Sequence, residues 1–469
     1  MEPETKRIKI EEQSPPAREM QIMDLIEDCI FEILGRLAPD DLCSMSFTCK
    51  YLQTLAFDQF QRQYPEQFIT IETKENDGKI SVDSNYNGKH LKYFSKFIQN
   101  VRVYGSQSMD TRILFDFVKT ECAPKLNILD IITSGIILPS DGEIIKDQLE
   151  KLEILTPIIS NAESSSYDAL MKHCKNLKHL KVFTNSFESN VDWLLQHYPT
   201  LESLGIKFYY IPNNFEEFIM RAGRLIRNNP QIKDFSCYGS DLTKAILQNA
   251  VDIKRLEIEC FDSDELSSIL DDLKLYCKNS PIECLEFELR PLDISCLKML
   301  RDFNQINPIH GLNIDKSFGK LSRPIPVIMD FKNLKKLELY IWFGGQVPSI
   351  EFDYIEKLSM GMLLLEEIKL RIWADDDDFV KKCLMSFVRN SVSMKRLKFD
   401  LKSIGKYIEF NRNDFLIMNA TRLRHPGSCS MEIHFVHTNN EGNRMEQVFN
   451  IPSDVNATKC MILNQIEIW

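Results

Sequence analysis

The sequence offers few groups whose type and spacing could do chemistry. Eight histidines and thirteen cysteines are scattered over 469 residues. His173, Cys174 and His179 fall close together, as do His434 and His437. A zinc site needs four ligands at fixed separations. Cys174 belongs to the apolar face of a helical pattern and His179 to the outward face of a strand pattern, so the set diverges and no metal is expected. Asp375, Asp376, Asp377 and Asp378 form a run after Trp373. It lacks the glycine and terminal glutamate of a calcium loop. It reads instead as the acidic start of a helix through Phe379, Val380 and Cys383, where carboxylates oppose the helix dipole. No GxxxxGK[ST], GxGxxG, GxSxG or HExxH occurs, and Lys320 has no phosphate loop before it. These absences argue against an enzyme and against a bound cofactor.

What remains is charged and aromatic surface. Glu257, Glu259, Glu286 and Glu288 alternate with apolar residues, as do Lys369, Arg371, Arg396 and Lys398. The spacing predicts strands whose apolar residues point inward and whose charges point out. The four glutamates are expected to cluster on neighbouring strands about 4.8 Å apart. Their mutual repulsion would disfavour the empty fold, so a basic partner segment is expected there; solvation and salt screening offer the other explanation. The basic set would take an acidic or phosphorylated segment, or else it is scattered surface charge. Tyr340 faces outward too. Trp342 and Trp373, just past two adjacent strands, are candidate aromatic anchors, although packing against a loop explains either equally well.

The elements that position these residues are repeats. An apolar residue, two others, an apolar residue, one other and a further apolar residue recur twelve times from Ile98 to Met394, about 27 residues apart. The clearest copy runs from a helical pattern at Leu170 and Cys174 into Leu177, Leu180 and Val182. Strand followed by helix at this period predicts one coil of a solenoid. Residues 97–402 should therefore form a parallel sheet of about twelve short strands on the concave face, with helices outside. Leu180, Val182, Leu204, Ile206, Leu256, Ile258, Leu337 and Leu339 should be buried. Residues 403–469, with a helix-like stretch near 413–424 and an alternating segment from Met431, are expected to cap the open end.

The N-terminal part differs. Residues 1–20 are charged and carry Pro15 and Pro16, which predicts a disordered tail and no secretory signal. Lys6, Arg7 and Lys9 are either a weak nuclear-import patch or a solvated tail. Residues 21–57 form an apolar block. Ile26, Ile30, Ile33 and Leu37 share one helical face, widened by Leu25 and Leu34. Leu42, Met45, Cys49 and Leu52 give a second amphipathic helix after Pro39. Residues 58–96 read as a connector, with a hairpin signal at Asn76-Asp77-Gly78.

The stretch from Leu25 to Leu37, then Asp41-Leu42 and Thr48-Cys49-Lys50-Tyr51-Leu52, resembles an F-box. Ile33-Leu34, Leu37, Asp41-Leu42 and Cys49-Lys50 match the family pattern. Ile26 stands where proline is usual, Thr48 where valine is usual and Leu52 where tryptophan is usual. The repeats look like the leucine-rich repeats that follow the F-box in many F-box proteins, and Asn185 sits where such a repeat places its asparagine. The resemblance implies an α/β leucine-rich-repeat solenoid with a small all-α F-box. It further implies that Leu25, Ile26, Ile30, Ile33, Leu34, Leu37 and Leu42 dock a Skp-family adaptor tied to a cullin scaffold. The repeats would then hold a protein substrate for ubiquitination. The alternative is a non-catalytic scaffold or inhibitor with a vestigial F-box.

Bulk composition agrees with a folded chain that takes protein partners. Hydrophobic residues make up 43% and charged residues 27%, and the net charge is −11. An acidic balance argues against nucleic-acid and anionic-membrane binding. No apolar run reaches the length of a membrane span. The odd number of cysteines and the absence of CxxC predict reduced thiols, and hence the cytoplasm or nucleus.

Overall fold

A computed structural model describes residues 25, 27–37, 39–63, 68–73, 80–84, 99–105, 111–122, 126–159, 164–184, 192–208, 214–290, 294–343, 347–373, 376–402, 417–418, 430–438, 444–451 and 462–468. Residues 1–20, Ile26, the turn at 76–78, Asn185, Asp375 and most of 413–424 lie outside the described residues. The chain divides into two compact units, Met1–Glu66 and Gln67–Trp469.

Among its described residues the first unit holds three helices: α1 (Glu27–Leu34), α2 (Pro39–Ser46) and α3 (Lys50–Gln63). The spacing at Leu42, Met45, Cys49 and Leu52 predicts one helix here, but the chain breaks at residues 47–49. Ser46 Oγ donates to the Cys43 carbonyl at 2.6 Å and Thr48 Oγ1 to the Met45 carbonyl at 2.7 Å. Such local bonds compete with the helical ladder. A new helix then starts at Lys50. It continues past the expected boundary at 57, because Leu52, Leu55, Ala56 and Phe60 keep one face buried. Helices α1 and α2 both pack on α3.

Among the described residues, the second unit is built on one sheet of seventeen strands. It begins inside the segment expected to be a connector. β1 (Phe68–Thr73) pairs antiparallel with β2 (Ile80–Ser84) and parallel with β3 (Asn100–Gly105). Strands then follow in chain order: β4 (Ile128–Thr133), β5 (Ile154–Ile159), β6 (His179–Thr184), β7 (Ser203–Phe208), β8 (Asp234–Tyr238) and β9 (Arg255–Cys260). β10 (Cys284–Leu289), β11 (Ile309–Phe318), β12 (Lys336–Trp342), β13 (Glu367–Trp373), β14 (Arg396–Lys402) and β15 (Met431–Thr438) continue the series. β1 and β3–β15 make fourteen parallel strands, and the twelve sequence periods correspond to β3–β14. β16 (Arg444–Ile451) and β17 (Ile462–Ile468) then turn antiparallel.

Between strands run α4 (Thr111–Glu121), α5 (Pro139–Ile144), α6 (Lys146–Leu149), α7 (Ser164–Met171), a 3₁₀ turn (Asp192–Leu195), α8 (Phe215–Asn228), α9 (Ser240–Asn249), α10 (Ser263–Cys277), α11 (Ile294–Phe303), α12 (Pro324–Ile328), α13 (Ser349–Gly361) and α14 (Asp377–Asn390). Each helix from α8 to α14 touches the next. Crossovers of one hand put them in a single layer on one side of the sheet. Strand burial alternates accordingly, as in β10 and β12. All eight core residues expected from the repeats are buried, none more than 2% exposed. This strand–helix coil is consistent with a solenoid.

Buried side chains stitch neighbouring coils. Asn229 Oδ1 accepts from the Tyr198 N–H at 2.6 Å, while its Nδ2 donates to the carbonyls of Gln196 (3.2 Å) and Leu225 (2.8 Å). Asn307 clasps Ile282 through both backbone groups. Both asparagines stand just ahead of a strand. Asp376 caps α14, accepting from the Phe379 N–H at 2.9 Å. Gly239, with φ of +82°, makes the one-residue joint from β8 to α9.

Candidate functional site

The helix-free face of the sheet collects most of the residues singled out above. Glu257 and Glu259 on β9 stand directly opposite Glu286 and Glu288 on β10. The four carboxylates do cluster, but the structure removes the reason for expecting a basic partner there. Lys207 reaches from β7 past β8 to the glutamate strands. Its Nζ lies 3.1 Å from Glu257, 3.0 Å from Glu259 and 3.0 Å from Glu288. Arg290 adds contacts to Glu259 (2.8 Å) and Glu288 (3.2 Å). Glu286 is held by Arg255 at 3.1 Å and Lys336 at 3.4 Å. Repulsion among the glutamates is therefore met inside the fold.

The electrostatics follow from the burial of this group. The Lys207 side chain is only 10% exposed. Burial works against its charge, but the carboxylates of Glu257, Glu259 and Glu288 outweigh it and raise its pKa above the ordinary lysine value. Glu257 responds in the opposite direction. Burial pushes its pKa up, Lys207 pulls it down, and the result is a lowered value.

Towards the C-terminal strands the face opens into a cleft of about 280 Å³. Gly311 forms part of its floor, and Glu286 folds over it. A Cβ at Gly311 would come within 2.5 Å of Glu286 Cγ. Lys369 Nζ lies 2.8 Å from Glu338, and Arg371 reaches the same carboxylate at 2.6 Å and Asp315 at 3.6 Å. Arg396 is 3.6 Å from Glu367, with both side chains well exposed. Lys398 also lines the cleft, and it has no ion pair among the described residues.

Beyond the cleft, Trp342 and Trp373 are partners in register at the ends of β12 and β13. Their rings are 6.3 Å apart and tilted by 58°. They are 48% and 38% exposed. Tyr340, two residues before Trp342, is half-buried; burial and then Asp315 raise its pKa.

The residues expected to dock an adaptor divide between core and surface. Ile30, Leu34 and Leu42 are fully buried, which corrects their assignment to an adaptor surface. Ile30 and Leu34 are four residues apart and form the inner stripe of α1. Leu25 and Leu37 are half-buried. Ile33 lies off that stripe, 39% exposed, and Phe47 and Tyr51 join it as exposed apolar residues. The repeat pattern did not single out Phe47 or Lys207. The alternation Ser203, Gly205, Lys207, two strands before the first glutamate strand, was the available signal for the lysine.

His173 is buried with Nε2 3.3 Å from Glu143, Cys174 is buried with its thiol pushed up to about 12 by desolvation, and His179 is on β6. No group of three or more metal-binding side chains occurs among the described residues. No helix among them is long and apolar enough to cross a membrane.

A family model described as F-box domain matches residues 22–59. The match takes in α1, α2 and α3 as far as residue 59, and stops short of the sheet. The leucine-rich-repeat reading of the second unit rests on its strand–helix alternation alone. Among curated proteins, none matches the chain.

Proposed function

We propose that this chain is the substrate-recognition subunit of a Skp–cullin–F-box-type ubiquitin ligase, with a leucine-rich-repeat solenoid as its substrate-binding part. The F-box match at residues 22–59 carries the reading. In this reading the first unit docks a Skp-family adaptor through Ile33, Phe47 and Tyr51, apolar residues exposed at the surface. The helix-free face of the sheet receives a protein substrate. Ubiquitin transfer belongs to other subunits, and this chain supplies proximity and orientation, which raise the transfer rate. The setting is the cytoplasm or nucleus, in keeping with free thiols at the described cysteines.

The test is purification of the tagged full chain from cells, followed by measurement of adaptor and cullin in the eluate. Ile33→Asp is the informative variant. Its side chain is 39% exposed, so the free chain tolerates the carboxylate, whereas an adaptor interface would have to bury it unpaired. Loss of an interface anchor costs about 2 kcal/mol or more, roughly a 30-fold fall in affinity. Retention of adaptor and cullin by a folded Ile33→Asp chain would overturn the docking surface. Their absence from the unaltered chain would leave the scaffold reading.

A further inference from the structure

We infer that the C-terminal half of the sheet reads a two-point segment of a protein partner: an anionic side chain, carboxylate or phosphoryl, set against Lys398, and a bulky apolar side chain four residues away against the Trp342–Trp373 pair. The inference rests on the proposed adaptor role and names the chemistry of its substrate.

The charge argument starts from what is already satisfied. Every glutamate lining the cleft has a basic partner on the sheet. Of the lining bases, Lys336 and Lys369 are held by Glu286 and Glu338. Arg396 is held only loosely, and Lys398 has no ion pair among the described residues. Lys398 also stands directly opposite Lys369, and like charges facing each other across strands are unfavourable. Glu338 relieves Lys369, whereas no carboxylate among the described residues forms an ion pair with Lys398. An incoming anion would complete it, with Arg396 two residues away on the same face able to swing in.

The apolar argument is independent. Among the described strand residues, the large apolar side chains exposed to solvent are Trp342 and Trp373. They are neighbours, and their tilted rings form a notch. Tryptophan is enriched among residues that dominate interface energies.

The spacing joins the two points. Lys369, level with Lys398, is four residues from Trp373 on one strand face, about 13 Å at strand rise. An extended partner segment has the same rise and sends alternate side chains to opposite faces. Residues four apart therefore match both points, whereas residues three or five apart cannot face the sheet together.

The experiment uses fluorescein-labelled synthetic peptides with a Gly-Ser background. Each carries one glutamate or phosphoserine and one phenylalanine at separations from two to six, in both orders, and binding to the full chain is read by fluorescence polarisation. Separation four should bind tightest, about tenfold above three and five. Lys398→Glu should weaken it about tenfold and remove the preference for an anion. Trp373→Ala should remove the preference for phenylalanine. The glutamate and phosphoserine arms decide which anion is favoured. Binding indifferent to separation, binding unaffected by Lys398→Glu, or no binding by any peptide would overturn the inference. Adaptor co-purification is measured in parallel. Loss of peptide selectivity with the adaptor retained removes only this inference, whereas absence of the adaptor removes the adaptor reading.

Discussion

Replacing Lys207 by methionine isolates the main electrostatic feature of the sheet. The change keeps most of the side-chain volume and removes one positive charge. At about 3 Å and an effective dielectric of 20, each of its three contacts is worth about 5 kcal/mol in gross Coulomb energy. Most of that is cancelled by desolvation and by repulsion among the carboxylates. Removing one partner of a buried ion pair costs about 3–5 kcal/mol, and that is the expected loss at neutral pH. The pH dependence is the sharper readout. In the unaltered chain the pKa of Glu257 is lowered, so its contribution is present above the ordinary value of 4.5 and is lost as pH falls through the lowered one. The pKa of Lys207 is raised, so its contribution is present below 10.5 and is lost only as pH rises beyond that. Stability arising from this group should therefore be flat between the two. Without the lysine, only Lys181 and Arg255 are left to offset the burial of Glu257, and burial together with the facing carboxylates raises its pKa above 4.5. The variant should then gain stability relative to the unaltered chain as pH falls from 7 towards 5. Urea unfolding at the two pH values, with hydrogen exchange over β7, β9 and β10, measures both. Adding Glu259→Gln should restore part of the loss. A variant as stable as the parent at pH 7, or one with a parallel pH profile, would refute the reasoning.

Three further outcomes are expected. Asn229→Ala removes three buried hydrogen bonds and should cost about 2–4 kcal/mol in urea unfolding, with Asn229→Asp intermediate because it keeps the acceptor for Tyr198. Gly311→Val should crowd Glu286, destabilise the chain by about 1–3 kcal/mol and weaken peptide binding at the cleft. Maleimide should modify exposed Cys29 and Cys49 in the native chain, and adaptor binding should shield Cys49, which lies between Phe47 and Tyr51. Cys122, Cys174 and Cys237 should stay unmodified from pH 7 to 9, because burial pushes each thiol up to about 12. Labelling of Cys174 before unfolding would contradict its placement.

The parts of this fold that were legible in the sequence are those set by local period. Leu180 with Val182 and Leu256 with Ile258 lie two residues apart, and in a strand that spacing alone sends both to one face. Helices between such strands then dictate a parallel sheet. The helical stripe through Ile26, Ile30, Ile33 and Leu37 was equally periodic, but period does not say which edge of a stripe is inside. Three helices packing together put Ile30 in the core and left Ile33 at the surface. Stitching asparagines were hard to place for a related reason. A regular repeat puts them after the strand, at Asn185, whereas Asn229 and Asn307 do this work before one, where the neighbouring coil presents free backbone groups.

Least legible was the charge balance of the helix-free face, because it depends on contacts far apart in sequence. Lys207 is 50 residues from Glu257 and 81 from Glu288, and only strand order brings them together. Counting charges by chain position suggested an acidic middle that needed a basic partner. Counting them by contact reverses the conclusion: the glutamates that line the cleft are satisfied, and Lys398, near an exposed tryptophan pair, has no ion pair among the described residues. A partner adds most where the fold has left a group unpaired or an apolar surface wet, since elsewhere it must first break contacts already made. On that ground the C-terminal strands, and not the glutamate-rich middle, are where a substrate has most to offer this face.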